Sequence, residues 1–183
     1  MNIYEHCPVI TTEHLTLRLV RREDAGGLLK VYSDARARPF FNADNCTSDF
    51  CYDRLPEMVA CVNMWMWSYE NGYFVRWTIL HGEAPVGTVE MFRRDDGEDG
   101  RGCGVLRIDV GSRYERERVF DELLPALVPV CHEGFGCAAV LTKAFSGSPE
   151  RLASLRRAGF VPAPGAVRRK DGTPVADYWV HRA

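Results

Sequence analysis

The chain has 183 residues, enough for one domain with a core of its own. Apolar residues make up 46% and charged residues 26%; a net charge of -2 and a pI near 6.2 argue against a nucleic-acid partner or an anionic membrane surface. No apolar run approaches the ~18 residues of a transmembrane helix, and Met1 to Pro8 lacks the basic-then-apolar order of a secretion signal, so a cytoplasmic domain is expected.

Leu15-Thr16-Leu17-Arg18-Leu19 alternates apolar and polar residues and predicts a half-buried strand. Leu28, Leu29 and Tyr32 then fall at helical spacing, predicting a helix from Glu23 to Asp34. The stretch 36–52 has no period. From Asp53, the positions Leu55, Met58, Val59, Val62, Met66 and Tyr69 mark a second amphipathic helix, ended by Asn71-Gly72. Its Met64, Trp65, Met66 and Trp67 read either as core and helix surface or as the lining of a substrate groove.

Tyr73 to Leu80, a turn at His81-Gly82-Glu83 and Pro85 to Phe92 predict a β-hairpin. The charged stretch Arg93 to Arg101, with Asp95, Asp96, Glu98 and Asp99, reads as an exposed loop rather than a metal site. Val105 to Val110 is the next strand, with Leu106, Ile108 and Val110 on one face and Val105, Arg107 and Asp109 on the other. Ser112 and Glu115 have the spacing of a capping box opening a helix. That helix carries Val119, Phe120, Leu123, Leu124, Leu127 and Val128, and Pro125 and Pro129 predict a kink or break. Cys137 to Lys143 is a short buried strand, Ser148-Pro149-Glu150 starts a helix ended at Gly159, and Phe160-Val161 and Val175 to His181 complete the sheet. The order implies one α/β domain over residues 1–183, a mixed sheet with helices on both faces.

Cys7, Cys46, Cys51, Cys61, Cys103, Cys131 and Cys137 are odd in number with no CxxC pair, which reads as reduced thiols. The histidines do not fall at metal-ligand spacing, so no metal is expected. Asn45-Cys46-Thr47 matches a glycosylation acceptor, read as chance without a secretion signal.

Anions collect where a strand feeds a helix N-terminus, because unpaired N–H groups and the helix dipole favour them there. The junction after Val110 carries three arginines, Arg113, Arg116 and Arg118, within six residues, which suits a polyphosphate. Glu115 and Glu117 alternate with them, as on a solvated helix face.

In order and spacing the chain resembles the GNAT superfamily of acyl-CoA-dependent N-acetyltransferases, in its ribosomal-protein N-terminal acetyltransferase branch. The resemblance rests on Pro8-Val9-Ile10-Thr11-Thr12-Glu13-His14-Leu15-Thr16-Leu17-Arg18 with Glu23-Asp24, on Pro85-Val86-Gly87, and on Ser154-Leu155-Arg156-Arg157-Ala158-Gly159-Phe160. It implies a GNAT-like mixed, mostly antiparallel central sheet of about seven strands with helices on both faces. It also implies that the strand ending at Asp109-Val110 parts from its neighbour to admit the pantetheine arm of acetyl-CoA. The cofactor contacts would then come from Val110, Arg113, Arg116, Arg118, Val119 and Ser148. In the family the following loop reads Arg or Gln, two residues, Gly, one residue, Gly or Ala; here those places hold Glu115, Arg118 and Phe120. Either the arginines contact the phosphates with side chains, or a Ser112 capping box closes the helix end and the cofactor site is lost. The family's common Asn aligns with Ser148, and its frequent Tyr acid with Arg156.

The implied reaction is direct acetyl transfer from acetyl-CoA to a primary amine, a peptide N-terminus or a small metabolite. It needs a base for the ammonium proton and an acid for the leaving thiolate. Glu90 and Asp109 are the candidate bases, unless each pairs with Arg76 or Arg107. Tyr114 and Tyr178 are the candidate acids. No histidine partner is implied for Cys103 or Cys131 as a covalent nucleophile. The alternative is a catalytically inactive GNAT-like domain binding a ligand or protein through the aromatic-rich segment between Pro39 and Trp77. A homodimer would fit the aromatics.

Overall fold

A computed structural model describes residues 2–44, 50–94, 102–163, 165, 167 and 173–183. The chain runs through β1 (Ile10–Thr11), β2 (Leu15–Leu19), α1 (Ala25–Tyr32), α2 (Leu55–Glu70), β3 (Val75–His81), β4 (Ala84–Arg94), β5 (Cys103–Val110), α3 (Glu117–Phe135), β6 (Ala139–Lys143), α4 (Pro149–Arg157), β7 (Val161–Pro162) and β8 (Tyr178–Arg182). The acidic run 95–99 and the tripeptide 45–47 lie outside the described residues. Among the described residues no helix is long and apolar enough to cross a membrane.

The strands form one eight-stranded sheet in the order β1-β2-β3-β4-β5-β6-β8-β7. Among the described residues only β5 and β6 pair in parallel; every other neighbour is antiparallel. The eighth strand is the short β1, whose two residues are too few to show a period. Gly82, at φ +61, makes the β3–β4 turn, which suits a residue with no Cβ. Gly87 is fixed by crowding: a Cβ there would stand 2.4 Å from the Asp109 carbonyl oxygen of the next strand.

Alternation along the strands sends opposite chemistry to the two faces. Leu106, Ile108 and Val110 join Val119, Phe120, Leu123, Leu124 and Leu127 of α3 in the main core. The other face meets α1 and α2, whose Leu28, Tyr32, Met58, Val62 and Trp65 form a second core. Between that second core and the sheet lies a buried polar strip of Arg76, Thr78, Thr88, Glu90, Arg107 and Asp109.

One local expectation about the central helix is corrected and a second is narrowed. Ser112 does not cap α3: Ser112–Tyr114 form a 3₁₀ turn, and α3 begins only at Glu117 with Arg116 at its N-cap. Glu115 does not reach back, because its carboxylate is engaged by α4. Nor do the prolines break the helix, which runs through both Pro125 and Pro129. They stand one turn apart on the exposed side, where the carbonyls of Asp121 and Pro125 that lose their donors face water. The apolar stripe on the opposite side holds the helix to the sheet.

Candidate active site

The pairing of β5 with β6 runs from Cys103↔Ala139 to Leu106↔Thr142 and stops. β5 continues through Arg107–Val110 with β4 as its only strand partner among the described residues, while β6 ends at Lys143 and leaves for α4. The two strands therefore part. Gly111 N–H bonds the Val86 carbonyl, which places the narrow antiparallel pairs at Asp109–Thr88 and Arg107–Glu90. By alternation, the N–H and C=O groups of Ile108 and Val110 point the other way, into the gap. They have no partner among the described residues.

A pocket of about 280 Å³ opens where the two strands have separated. Ser112, Arg113, Glu115 and Arg116 line it from the β5 side, and Gly147 to Glu150 from the β6 side, with Arg36 and Phe40 above. The backbone here seeks negative charge, and the chain supplies it. Ser112 N–H donates to Asp34 Oδ2 at 2.9 Å, and Glu117 N–H, at the tip of α3, donates to Glu150 Oε2 at 2.8 Å. Burial pushes the Asp34 carboxyl up, but the Ser112 hydrogen bonds outweigh this and hold it below its usual range. Arg116 Nη1 lies 3.4 Å from the other oxygen of Glu150. Beneath them Glu115 is buried, clamped by Arg151 through two bonds of 2.8 and 2.7 Å and by Ser148 Oγ–H at 2.7 Å.

On the opposite face of the sheet the polar strip reaches the gap. Asp109 is 1% exposed; Tyr32 OH donates to its Oδ2 at 3.3 Å and Asn42 N–H to its Oδ1 at 3.3 Å. Burial raises its pKa above the ordinary carboxyl value, against the pull of Arg76, Arg151 and Arg107. Glu90 is spoken for. Arg76 makes a short ion pair with one of its oxygens, and Arg107 Nη1 lies 2.9 Å from the other. The Arg76 guanidinium in turn stacks 4.0 Å from the centre of the Trp65 ring.

No protein-family model matches the sequence, and no curated protein does. Solved structures do match. A Vibrio cholerae protein assigned as a ribosomal-protein-serine acetyltransferase is 16% identical, with a TM-score of 0.68 over 100% of both chains. RimL, a ribosomal-protein α-N-acetyltransferase solved with coenzyme A, is 12% identical, with a TM-score of 0.72 over 96% of this chain and 98% of its own. A GNAT-family acetyltransferase from Bacillus anthracis is 10% identical, with a TM-score of 0.66 over 96% of this chain and 98% of its own. The fold is that of the GNAT acetyltransferases.

Against the GNAT pattern, the residues singled out in the sequence fall into three groups. The first lies at the gap: Val110 presents its backbone there, Arg113, Arg116 and Ser148 line the pocket, and Asp109 borders it on the far face. The second is turned to other work. Val119 is buried in the core and its N–H is taken by the Arg116 carbonyl at 3.0 Å. Tyr114 OH meets His81 Nδ1 at 3.1 Å by the β3–β4 turn, on the side of β5 away from the gap. Glu90 has its two arginines, the alternative the sequence left open. The third is Arg118, exposed and outside the pocket lining, although its N–H has no partner among the described residues. Cys131 is a buried thiol with its pKa pushed up by burial, unsuited to nucleophilic attack.

Sequence reasoning missed Asn42, Asp44, Glu150 and Arg151. Asn42 and Asp44 lie in the aperiodic stretch 36–52, where no pattern marks a contact. Arg151 and Glu150 act on residues more than thirty positions earlier, and a lone acid and base at a helix start look like ordinary dipole complements.

Proposed function

We propose that this protein is an N-acetyltransferase that moves the acetyl group of acetyl-CoA directly onto a primary amine. One observation carries the reading: β5 outruns β6 by four residues, so the amides of Ile108 and Val110 face a gap with a pocket at its mouth. An extended chain carrying amides of its own, as pantetheine is, can pair with that edge like an added strand. Arg113 and Arg116 suit the phosphates at the pocket. When bound, acetyl-CoA supplies an acetyl group activated as a thioester. Asp109, with its raised pKa, is suited to take the proton from the attacking nitrogen, because a base works best with a pKa near the working pH. An N–H of Ile108 or Val110 is available to the acetyl carbonyl as negative charge develops on it. The name of RimL, an α-N-acetyltransferase of a ribosomal protein, supports a peptide N-terminus as the amine.

A second reading is favoured by the carboxylates of Asp34 and Glu150, which already occupy anion-seeking backbone N–H groups: a GNAT-like domain that binds a ligand or protein without catalysis. Thermal unfolding with CoA and acetyl-CoA separates the two. A ligand at a hundred times its Kd stabilises the native state by about 2.7 kcal/mol. The enzyme reading expects such a shift, shrinking in Arg116→Ala, together with CoA thiol release in the presence of amine peptides. A flat response at millimolar CoA favours the binding domain.

A further inference from the structure

Asn42 and Asp44 cross the gap on the α1/α2 face of the sheet, and each grips both banks. On the β5 bank, Asn42 N–H donates to Asp109 at 3.3 Å and the Asp44 carbonyl accepts from Arg107 Nη2 at 2.7 Å. On the opposite bank, Asn42 Nδ2 donates to Tyr178 OH at 3.1 Å and the Asp44 carboxylate accepts from Lys143 Nζ at 2.7 Å. Tyr178 opens β8 and pairs with Lys143, the last residue of β6. Its side chain shares a face with Leu141 and Val180, the face on which Asp109 also lies.

The bonding pattern decides which way the Tyr178 proton can go. Asn42 Oδ1 accepts the N–H of Asp44 at 3.1 Å, which fixes the orientation of the amide. The atom facing Tyr178 is therefore the amide nitrogen, which donates and does not accept. The phenol oxygen is the acceptor in that bond, and its own hydrogen has no acceptor among the described residues. Burial, first, pushes the Tyr178 pKa upward, so the phenol keeps its proton at neutral pH. A protonated phenol at the edge of the gap, with its hydrogen uncommitted and its oxygen pinned, is equipped to donate to whatever forms there. Tyr114, the other candidate, has its hydroxyl tied to His81.

We infer that Tyr178 is the acid that protonates the departing thiolate, and that Asn42 is the positioning residue that aims it and ties it to Asp109. This rests on the acetyl-transfer reading above. As the nitrogen–carbon bond forms and the carbon–sulfur bond breaks, Asp109 takes a proton from nitrogen and Tyr178 gives one to sulfur. Exchange with water then returns a proton to the Tyr178 phenolate and removes one from Asp109. No electron donor or acceptor is needed.

The test compares wild type, Tyr178→Phe and Asn42→Asp by kcat, KM and the pH profile, with CoA affinity and Tm measured alongside. Wild-type kcat should fall on an alkaline limb as the phenol ionises. Tyr178→Phe should lose about a hundredfold in kcat and that limb, with little change in KM or CoA affinity. Asn42→Asp puts an acceptor opposite the phenol, so kcat should fall and the limb should move to higher pH. If Tyr178→Phe folds poorly, the shift of the limb in Asn42→Asp decides the matter alone. An active wild type whose kcat and alkaline limb survive these substitutions overturns this inference and leaves acetyl transfer standing. A wild type that binds CoA but transfers no acetyl group overturns both.

Discussion

The open edge of β5 and the tip of α3 follow one another in the chain, yet one is bare and the other is covered. The Ile108 and Val110 amides face the gap with no partner among the described residues, whereas the Glu117 N–H holds Glu150 and the Ser112 N–H holds Asp34. The difference is one of origin. A strand edge is exposed by topology, since β6 ends at Lys143 whatever side chains β5 carries. A phosphate-binding helix tip is exposed only if nearby side chains stay away. Here Arg118 and Phe120 stand where the GNAT pattern has small residues, and the carboxylates of Asp34 and Glu150 take the N–H groups of Ser112 and Glu117. On the proposed reading, the strand edge that would receive the cofactor is therefore built into the backbone, and at the helix tip carboxylates would compete with its phosphates.

That contrast can be broken first at Asp109, the proposed base beside the open edge. Asp109→Asn should lower kcat by about a thousandfold, read from CoA thiol release, because proton abstraction by a placed base contributes on the order of a hundred- to ten-thousandfold. The same variant should be no less stable than wild type at neutral pH. A carboxyl whose folded pKa is raised contributes stability that is fully present below its ordinary value and lost as pH rises through the raised one. The neutral amide should escape that loss, and thermal unfolding of both proteins as pH is lowered should show the gap between them closing.

The covered tip is held from below by Glu115 and Arg151. Glu115→Ala leaves a buried guanidinium against Phe120 without its carboxylate and should cost about 3–5 kcal/mol in urea unfolding. A cost under ~1 kcal/mol would mean the clamp does not organise the tip. Smaller effects should appear in cofactor affinity. Arg116→Ala should weaken CoA binding by about tenfold in calorimetry, a loss near 1.4 kcal/mol, the size of a charge-assisted hydrogen bond. Glu150→Gln should tighten it by about threefold, because the Glu117 N–H keeps a partner while the competing negative charge is gone. If Glu150→Gln weakens CoA instead, the carboxylate is a scaffold for the site and not a rival of the phosphates.

How much of this was legible in the sequence follows the same divide. The alternation of Leu15 to Leu19 and of Val105 to Val110, and the helical period from Leu55 to Tyr69, are local patterns, and they gave the elements in their order. The polar face of β5 was legible too, down to the choice for Glu90 between catalysis and pairing with Arg76 and Arg107. What failed was long-range competition. Ser112 and Glu115 have the spacing of a cap, but Arg151 binds the carboxylate bidentately from α4, and a local hydrogen bond to one N–H is weaker than that. Pro125 and Pro129 carry a strong local signal for a kink or break, and the break is overridden because the helix's opposite side is buried along its length. Asn42 belongs to no period at all, and its importance arises only once β5 and β8 are brought to either side of it.

Acetyl transfer as proposed requires the open edge of β5 to receive the pantetheine arm, and amide hydrogen exchange at Ile108 and Val110 tests that directly. In the free protein both amides should exchange faster than those of Arg107 and Asp109, which are paired with β4. Saturating CoA should slow exchange at Ile108 and Val110 by tenfold or so while leaving the β4-facing amides nearly unchanged. Binding of CoA with no protection at Ile108 and Val110 would contradict the account, since the cofactor would then lie elsewhere on the fold.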